Sequence, residues 1–156
     1  MAERMLDDQA IRELAVRLRD LEWSWSQTEV PAIAQELGWT VDGDFDGIIE
    51  LDTGLGPASG VVEVNDEGAV DIIVVSATSY IDPDEPAERA WLRDGFAHAT
   101  SLVTEALGEP TLKRPGSSPQ VRWRGENSTL GVNTTSVSLK IFVARNDYLD
   151  DEDYWG

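Results

Sequence analysis

The sequence contains no cysteine and a single histidine among its 156 residues. Without cysteine the chain can form no disulfide, thiolate nucleophile or cysteine-ligated zinc site, and the cytoplasm is the expected compartment. His98 lies between two alanines of a predicted helix, with no cysteine or carboxylate at the spacing of a metal site or a catalytic triad. We therefore expect a protein that is not an enzyme and holds no metal or cofactor.

Long apolar runs are also missing. No segment approaches the roughly 20 apolar residues that a membrane-spanning helix needs, and the N-terminal segment is a charged amphipathic pattern rather than the apolar core of a signal peptide. We expect neither a membrane span nor a standard secretory leader.

Basic residues are scarce, with 12 Lys and Arg against 30 Asp and Glu and a net charge of −18. Residues 20–88 hold seventeen acids and no base, whereas residues 89–145 hold eight bases and four acids. The negative electrostatic field of such a chain repels nucleic acid and anionic lipid and attracts basic proteins. We expect a basic protein partner, no nucleic acid and no membrane; solubility alone is the alternative explanation of the charge.

The longest helical pattern, residues 86–107, organises the predicted fold, with an apolar stripe at three-and-four spacing, Asp84 as the expected cap and Gly108 after its end. Helices are predicted at 8–21 and 28–37, and strands at 47–51, 60–65, 69–80, 120–124, 128–133 and 137–144. Residues 113–119 are predicted to be a basic loop. The order αα-βββ-α-βββ indicates a single α+β domain, 1–156, whose antiparallel sheet of about six strands in two meanders carries helices packed on one face. We expect a monomer or a homodimer.

The last segment, 146–156, combines five acids with Tyr148, Tyr154 and Trp155. A frayed, flexible, solubilising end and a binding element remain two open interpretations. Because the last strand pattern ends at Val143, we expect this tail to add little to the core.

Residues 42–49 match the first two thirds of a calcium loop, D-x-D-x-D-G with an apolar residue at the eighth position. The twelfth position is Thr53, which supplies no bidentate carboxylate, and a strand pattern follows where a helix is required, so a solvated turn is favoured and a calcium-binding module is kept as an alternative. A second acidic cluster precedes the long helix. The candidate partner-binding residues are Asp42, Asp44, Asp46, Asp82, Asp84, Glu85, Tyr148, Asp150, Asp151, Tyr154 and Trp155.

Four short patterns distinguish the chain: Trp23-x-Trp25, Leu37-Gly38-Trp39, Leu107-Gly108-Glu109-Pro110 and Val121-x-Trp123. Together they resemble a group of small acidic actinobacterial proteins of uncharacterised function, some of which are similar to immunity partners of polymorphic toxins. The resemblance covers about residues 23–143. It implies a cytoplasmic antitoxin, without enzymatic activity, that binds a cognate basic toxin and occludes its active site. The predicted architecture also resembles that of secretion chaperones, which leaves a chaperone for an extended client as the other alternative.

Overall fold

A computed structural model describes residues 4–155 of the chain. Its helices are α1 (Asp8–Arg19), α2 (Val30–Leu37), α3 (Pro86–Leu107) and α4 (Asn146–Trp155), with a 3-10 turn at Gln27–Glu29. Its strands are β1 (Thr40–Phe45), β2 (Ile48–Asp52), β3 (Gly60–Val64), β4 (Val70–Ser76), β5 (Leu112–Arg114), β6 (Gln120–Arg124), β7 (Ser128–Thr134) and β8 (Leu139–Arg145). Across this described part, none of the helices has the length and apolar character to cross a membrane.

The eight strands form one antiparallel sheet in the order β1-β2-β3-β4-β8-β7-β6-β5. Two four-stranded meanders therefore meet at the centre, where their last strands β4 and β8 pair. This confirms the predicted α+β class, but the count of six strands was too low. Each meander has one further strand at its outer edge. The side chains of β1 are mostly exposed and show no apolar alternation, and β5 overlaps the start of the predicted basic loop.

One face of the sheet, called the first face, packs against α1, α2 and α3. Ile11 and Leu18 of α1 and Val103 of α3 are fully buried there with the inward side chains of β4, β7 and β8. The bounds predicted for the long helix are confirmed. Trp123 Nε1 donates to the carbonyl oxygen of Gly108 at 2.8 Å, which fixes the end of α3 against β6.

The opposite face, called the second face, carries α4, so the expectation of helices on one face only is wrong. Leu149 of α4 is 5% exposed and packs on Phe142 and Ala144 of β8. The Phe142 ring lies over Gly131, where any side chain would collide with it. Helix α4 covers the second face because β4 and β8 are apolar on both faces, and each apolar face must be buried.

Buried hydrogen bonds hold the start of α4. The Asn146 Oδ1 atom accepts from Thr129 Oγ1 at 2.6 Å, and its Nδ2 atom donates to the carbonyl oxygen of Gly125 at 3.0 Å. Residues 146–155, predicted as a tail that adds little to the core, thus form a helix seated on the sheet.

Candidate functional site

The strand register aligns two rows of side chains across the second face. The first row runs Phe45, Ile48, Glu63, Ile72, Ala144, Thr129, Arg124, and the second runs Gly43, Glu50, Val61, Val74, Phe142, Gly131, Arg122, Leu112. Helix α4 packs on the β8 part of these rows and forms ion pairs with arginines of β5 and β6. The part over β2–β4 remains partly exposed; we call it the open half and define it as Ile48, Glu50, Val61, Glu63, Ile72 and Val74.

Exposed aromatic side chains border the open half. Phe45, 55% exposed, ends the first row at the sheet edge, and the ring of Tyr80, 68% exposed, lies 5.3 Å from Nζ of Lys140 on the second face. At the end of α4, Tyr154 and Trp155 form an edge-to-face pair with centroids 5.0 Å apart and exposures of 79% and 83%. Exposed aromatic side chains that share one face of a sheet are typical of an interaction surface.

The open half is electrostatically negative, because residues 20–88 supply β1–β4 with acids and no base. Burial raises the pKa of Glu63, and the charges of Asp71 and Glu152 raise it further. Burial, followed by the charges of Glu63, Glu152 and Asp71, raises the pKa of Tyr148 to about 12. The carboxylates of Glu63 and Glu152 thus lie near each other where α4 borders the open half, and neighbouring negative charges attract cations.

Two carboxylates of α4 hold the helix on the sheet. Asp150 accepts two hydrogen bonds from Arg124, at 2.8 and 3.1 Å, and Asp153 accepts two from Arg122 at the same distances. Asp153 also pairs with Arg114 at 3.2 Å. Hydrogen bonds from these arginines lower the pKa of both carboxyl groups. Of the candidates predicted in this segment, Asp150 is therefore occupied by Arg124, whereas the side chains of Asp151, Tyr154 and Trp155 face solvent.

The motif that resembled a calcium loop forms an edge hairpin. Asp42 and Asp44 belong to β1, and Asp46 and Gly47 form the turn to β2 with φ of 49° and 77°. Two successive positive φ angles are typical of the type I′ turn that closes a two-residue hairpin. Within residues 4–155, no three His, Asp or Glu side chains lie close enough together to hold a metal ion.

The second predicted cluster, Asp82, Asp84 and Glu85, lies exposed between β4 and α3. The expected cap at Asp84 is wrong: Glu85 takes the N-cap position without a side-chain bond, and the Asp84 N–H donates to Asp82 Oδ1 at 2.9 Å. Ile81 N–H donates to the carbonyl oxygen of Val137, which places this link beside β8. Because β1 lies four strands from β8 in the sheet, about 19 Å separates the two strands, and the two acidic clusters belong to different surfaces.

A polar pair that the sequence analysis missed lies on the second face. Lys140 Nζ donates to Ser76 Oγ at 2.7 Å, and burial lowers the pKa of Lys140. A lysine base beside a serine hydroxyl is one form of activated nucleophile. Ser76 is only 5% exposed, and its amide donates to the carbonyl oxygen of Ser59 at 2.7 Å. The sequence signal was the lysine at the start of a mostly apolar strand, and the strand register places it opposite Ser76.

A family model described as a family of unknown function (DUF6301) matches residues 9–145. The chain belongs to this family. Membership of an uncharacterised family, expected from the tryptophan and Leu-Gly patterns, is thereby confirmed. The DUF6301 match includes all eight strands and ends where α4 begins. No curated protein and no solved structure matches the sequence.

Proposed function

We propose that this chain is a protein-binding domain without enzymatic activity that takes a basic partner on the open half of its second face. The observation that carries the proposal is the coincidence of an apolar, aromatic-bordered surface with a half-sheet that has no base. In its most specific form the partner is a cognate toxin, and the chain is an immunity protein that occludes the toxin's active site in the cytoplasm.

The two kinds of side chain on the open half have different roles in this proposal. Val61 and Val74 form an apolar floor, and burial of such groups supplies most of the affinity of an interface. Glu50 and Glu63 supply complementarity to basic residues, which increases the association rate and selects the partner. The exposed Trp155 belongs to a residue type that is enriched among binding hot spots.

The runner-up function is a secretion-chaperone-like protein, which would hold an extended client segment on the same open half. The two functions differ in the partner's state. An immunity protein binds one folded toxin, whereas a chaperone holds a client segment that is unfolded while bound. Proteolysis of the bound partner separates them, because a folded toxin resists cleavage and an extended client does not.

The test reverses charge on the open half. E50K/E63K is compared with E36K/E109K, a control that makes the same charge change at exposed acids away from the second face. Tagged wild-type protein is used to capture a partner from the native lysate, and its affinity for each variant is then measured with the purified partner. We expect E50K/E63K to weaken binding by about tenfold or more and the control to bind like wild type.

Association rates measured by stopped flow should fall as salt rises, because opposite charges guide the encounter. Urea unfolding of both variants confirms that any loss of binding does not come from loss of the fold. Equal affinity of E50K/E63K and E36K/E109K would remove the open half as the binding surface.

A further inference from the structure

A second surface outside the open half has the features of a binding site. A cavity of about 640 Å³ lies where the link after α1, the β6–β7 turn and the start of α4 meet. Leu21 and Leu130 form part of its apolar wall, and Trp23 and Trp25 also line it. We call this cavity the tryptophan pocket. Its volume falls in the range of small-molecule and peptide sites.

The two indole rings are arranged as a pair. Their centroids are 5.1 Å apart and their planes are tilted by 36°. Tryptophan is the aromatic residue that attracts a cation most strongly over its ring face, and several aromatic rings around one cation recur in sites for ammonium groups. The rings therefore favour a cationic ligand.

The unpaired charge around the tryptophan pocket is negative. Glu22, Glu126 and Asp147 line it, and none of them forms an ion pair within residues 4–155. Two arginines also line the pocket, but each has a carboxylate partner: Arg19 pairs with Asp20 at 2.9 Å, and Arg145 pairs with Asp71. The charge left for a ligand comes from the three acids.

Two further features of the tryptophan pair are unusual. The Nε1 atom of Trp23 is buried without an acceptor within the described residues, and a buried donor without a partner is costly. Trp25 has a φ of +58°, a conformation that non-glycine residues rarely adopt. Val70 N–H donates to the carbonyl oxygen of Trp25 at 2.7 Å, so β4 holds this backbone in place. The backbone at Trp25 is thus held in a rare conformation by its hydrogen bond to β4.

We propose that the tryptophan pocket binds a cationic side chain, preferentially arginine, from a peptide segment of the basic partner. A planar guanidinium stacks on an indole face better than a compact ammonium does. The proposal rests on the proposed function in one respect, that the partner is a basic protein. The pocket and the open half lie on different parts of the surface.

The test needs no partner and uses acetyl-Gly-Arg-Gly-amide as the probe. Acetyl-Gly-citrulline-Gly-amide is the matched control, because citrulline keeps the shape of arginine and lacks its charge. The readout is the indole ¹H–¹⁵N resonances of the full chain by NMR, with Trp23 and Trp25 assigned from the variants W23F and W25F. We expect the arginine peptide to shift both resonances saturably, with an affinity on the order of millimolar, and the citrulline peptide to shift neither.

Two triple variants separate the pocket from general attraction to an acidic protein. E22Q/E126Q/D147N removes the unpaired charge of the pocket, and E36Q/D84N/E109Q removes the same charge from exposed acids elsewhere. We expect about tenfold weaker binding for the first variant and wild-type affinity for the second. Equal shifts with both peptides, or equal losses with both triple variants, would overturn the proposal.

The same titration distinguishes this proposal from the proposed function. E50K/E63K should bind the arginine peptide like wild type while losing the protein partner. If instead the arginine peptide shifts neither indole resonance and the partner still requires the open half, the pocket proposal fails and the proposed function stands.

Discussion

Replacing Leu149 by alanine measures how firmly α4 is seated on the second face. Leu149 is 5% exposed and packs on Phe142 and Ala144. Burying a leucine side chain stabilises a fold by about 1.5–3 kcal/mol, and leucine-to-alanine changes in cores cost about 2–5 kcal/mol because a cavity adds to the lost transfer energy. Partly exposed neighbours such as Ile72 can move into part of the space. We therefore expect Leu149→Ala to lower the free energy of unfolding by about 2–3 kcal/mol.

The assay is urea unfolding followed by far-UV circular dichroism. With a slope of about 2 kcal/mol/M, the expected loss shifts the midpoint by about 1–1.5 M. Tyr154→Ala is the matched control, because Tyr154 lies on the same helix, is 79% exposed and should cost less than about 0.5 kcal/mol. A chain that ends at Arg145 should lose at least as much stability as Leu149→Ala, since it also lacks the ion pairs of α4. Equal midpoints for Leu149→Ala and Tyr154→Ala would refute the packing of α4 described above.

Three further predictions follow from single features of the structure. Arginines hold the pKa values of Asp150 and Asp153 below the ordinary value. Their ion pairs therefore stabilise the fold above the unfolded-state pKa of about 4, and this stabilisation is lost as the pH falls through the folded-state pKa. Asp153→Asn should reduce the fall of the urea midpoint at acid pH. Calcium at millimolar concentration should leave the melting temperature of wild type and Asp44→Ala unchanged, and a saturable rise in wild type alone would restore the calcium module. A fluorophosphonate probe at pH 8 should not label Ser76, because this side chain is buried; labelling that Lys140→Met abolishes would show an enzyme.

The sequence predicts those helices and strands whose own residues carry a complete periodic pattern. Residues 86–107 carry an apolar stripe, a proline in the first turn and a glycine after the last, and α3 has those bounds. The strand β1 gives no such pattern, because it lies at the sheet edge with both sides exposed. Only burial on one side produces an apolar alternation that can be recognised in a sequence.

Helix α4 shows why an ordered element can look like a tail. Within this helix, Leu149 is the single large apolar side chain that is buried, and the acids around it suggest a solvated end. The charges that neutralise Asp150 and Asp153 are arginines of β5 and β6, which lie 26 or more residues earlier in the chain. Such pairing depends on the tertiary fold, so local sequence patterns could not identify it.

The acidic character of the candidate site was predictable, but the residues that share its surface were not. Glu50 and Glu63 lie on the second face with Val61 because of the strand register, which shifts at a bulge between Val41 and Gly43 and at another between Glu63 and Val64. A shift of one residue moves a side chain to the other face of a sheet. The predicted acids Asp42 and Asp44 lie on the edge strand β1, whereas the acids of the open half come from β2 and β3.

The charge segregation along the sequence becomes a segregation in space because each meander is a continuous stretch of chain. Strands β1–β4 fall within the base-free residues 20–88, and β5–β8 fall within the basic residues 89–145. The acids of α4 neutralise the arginines of the second meander, as the pairs of Asp150 and Asp153 show. On the second face of the first meander, Glu50 and Glu63 have no ion-pair partner within residues 4–155. The second face therefore already contains one charge-complementary contact, made by its own C-terminal helix on the basic half, and this contact is the pattern for the one that we propose between the acidic half and a basic protein.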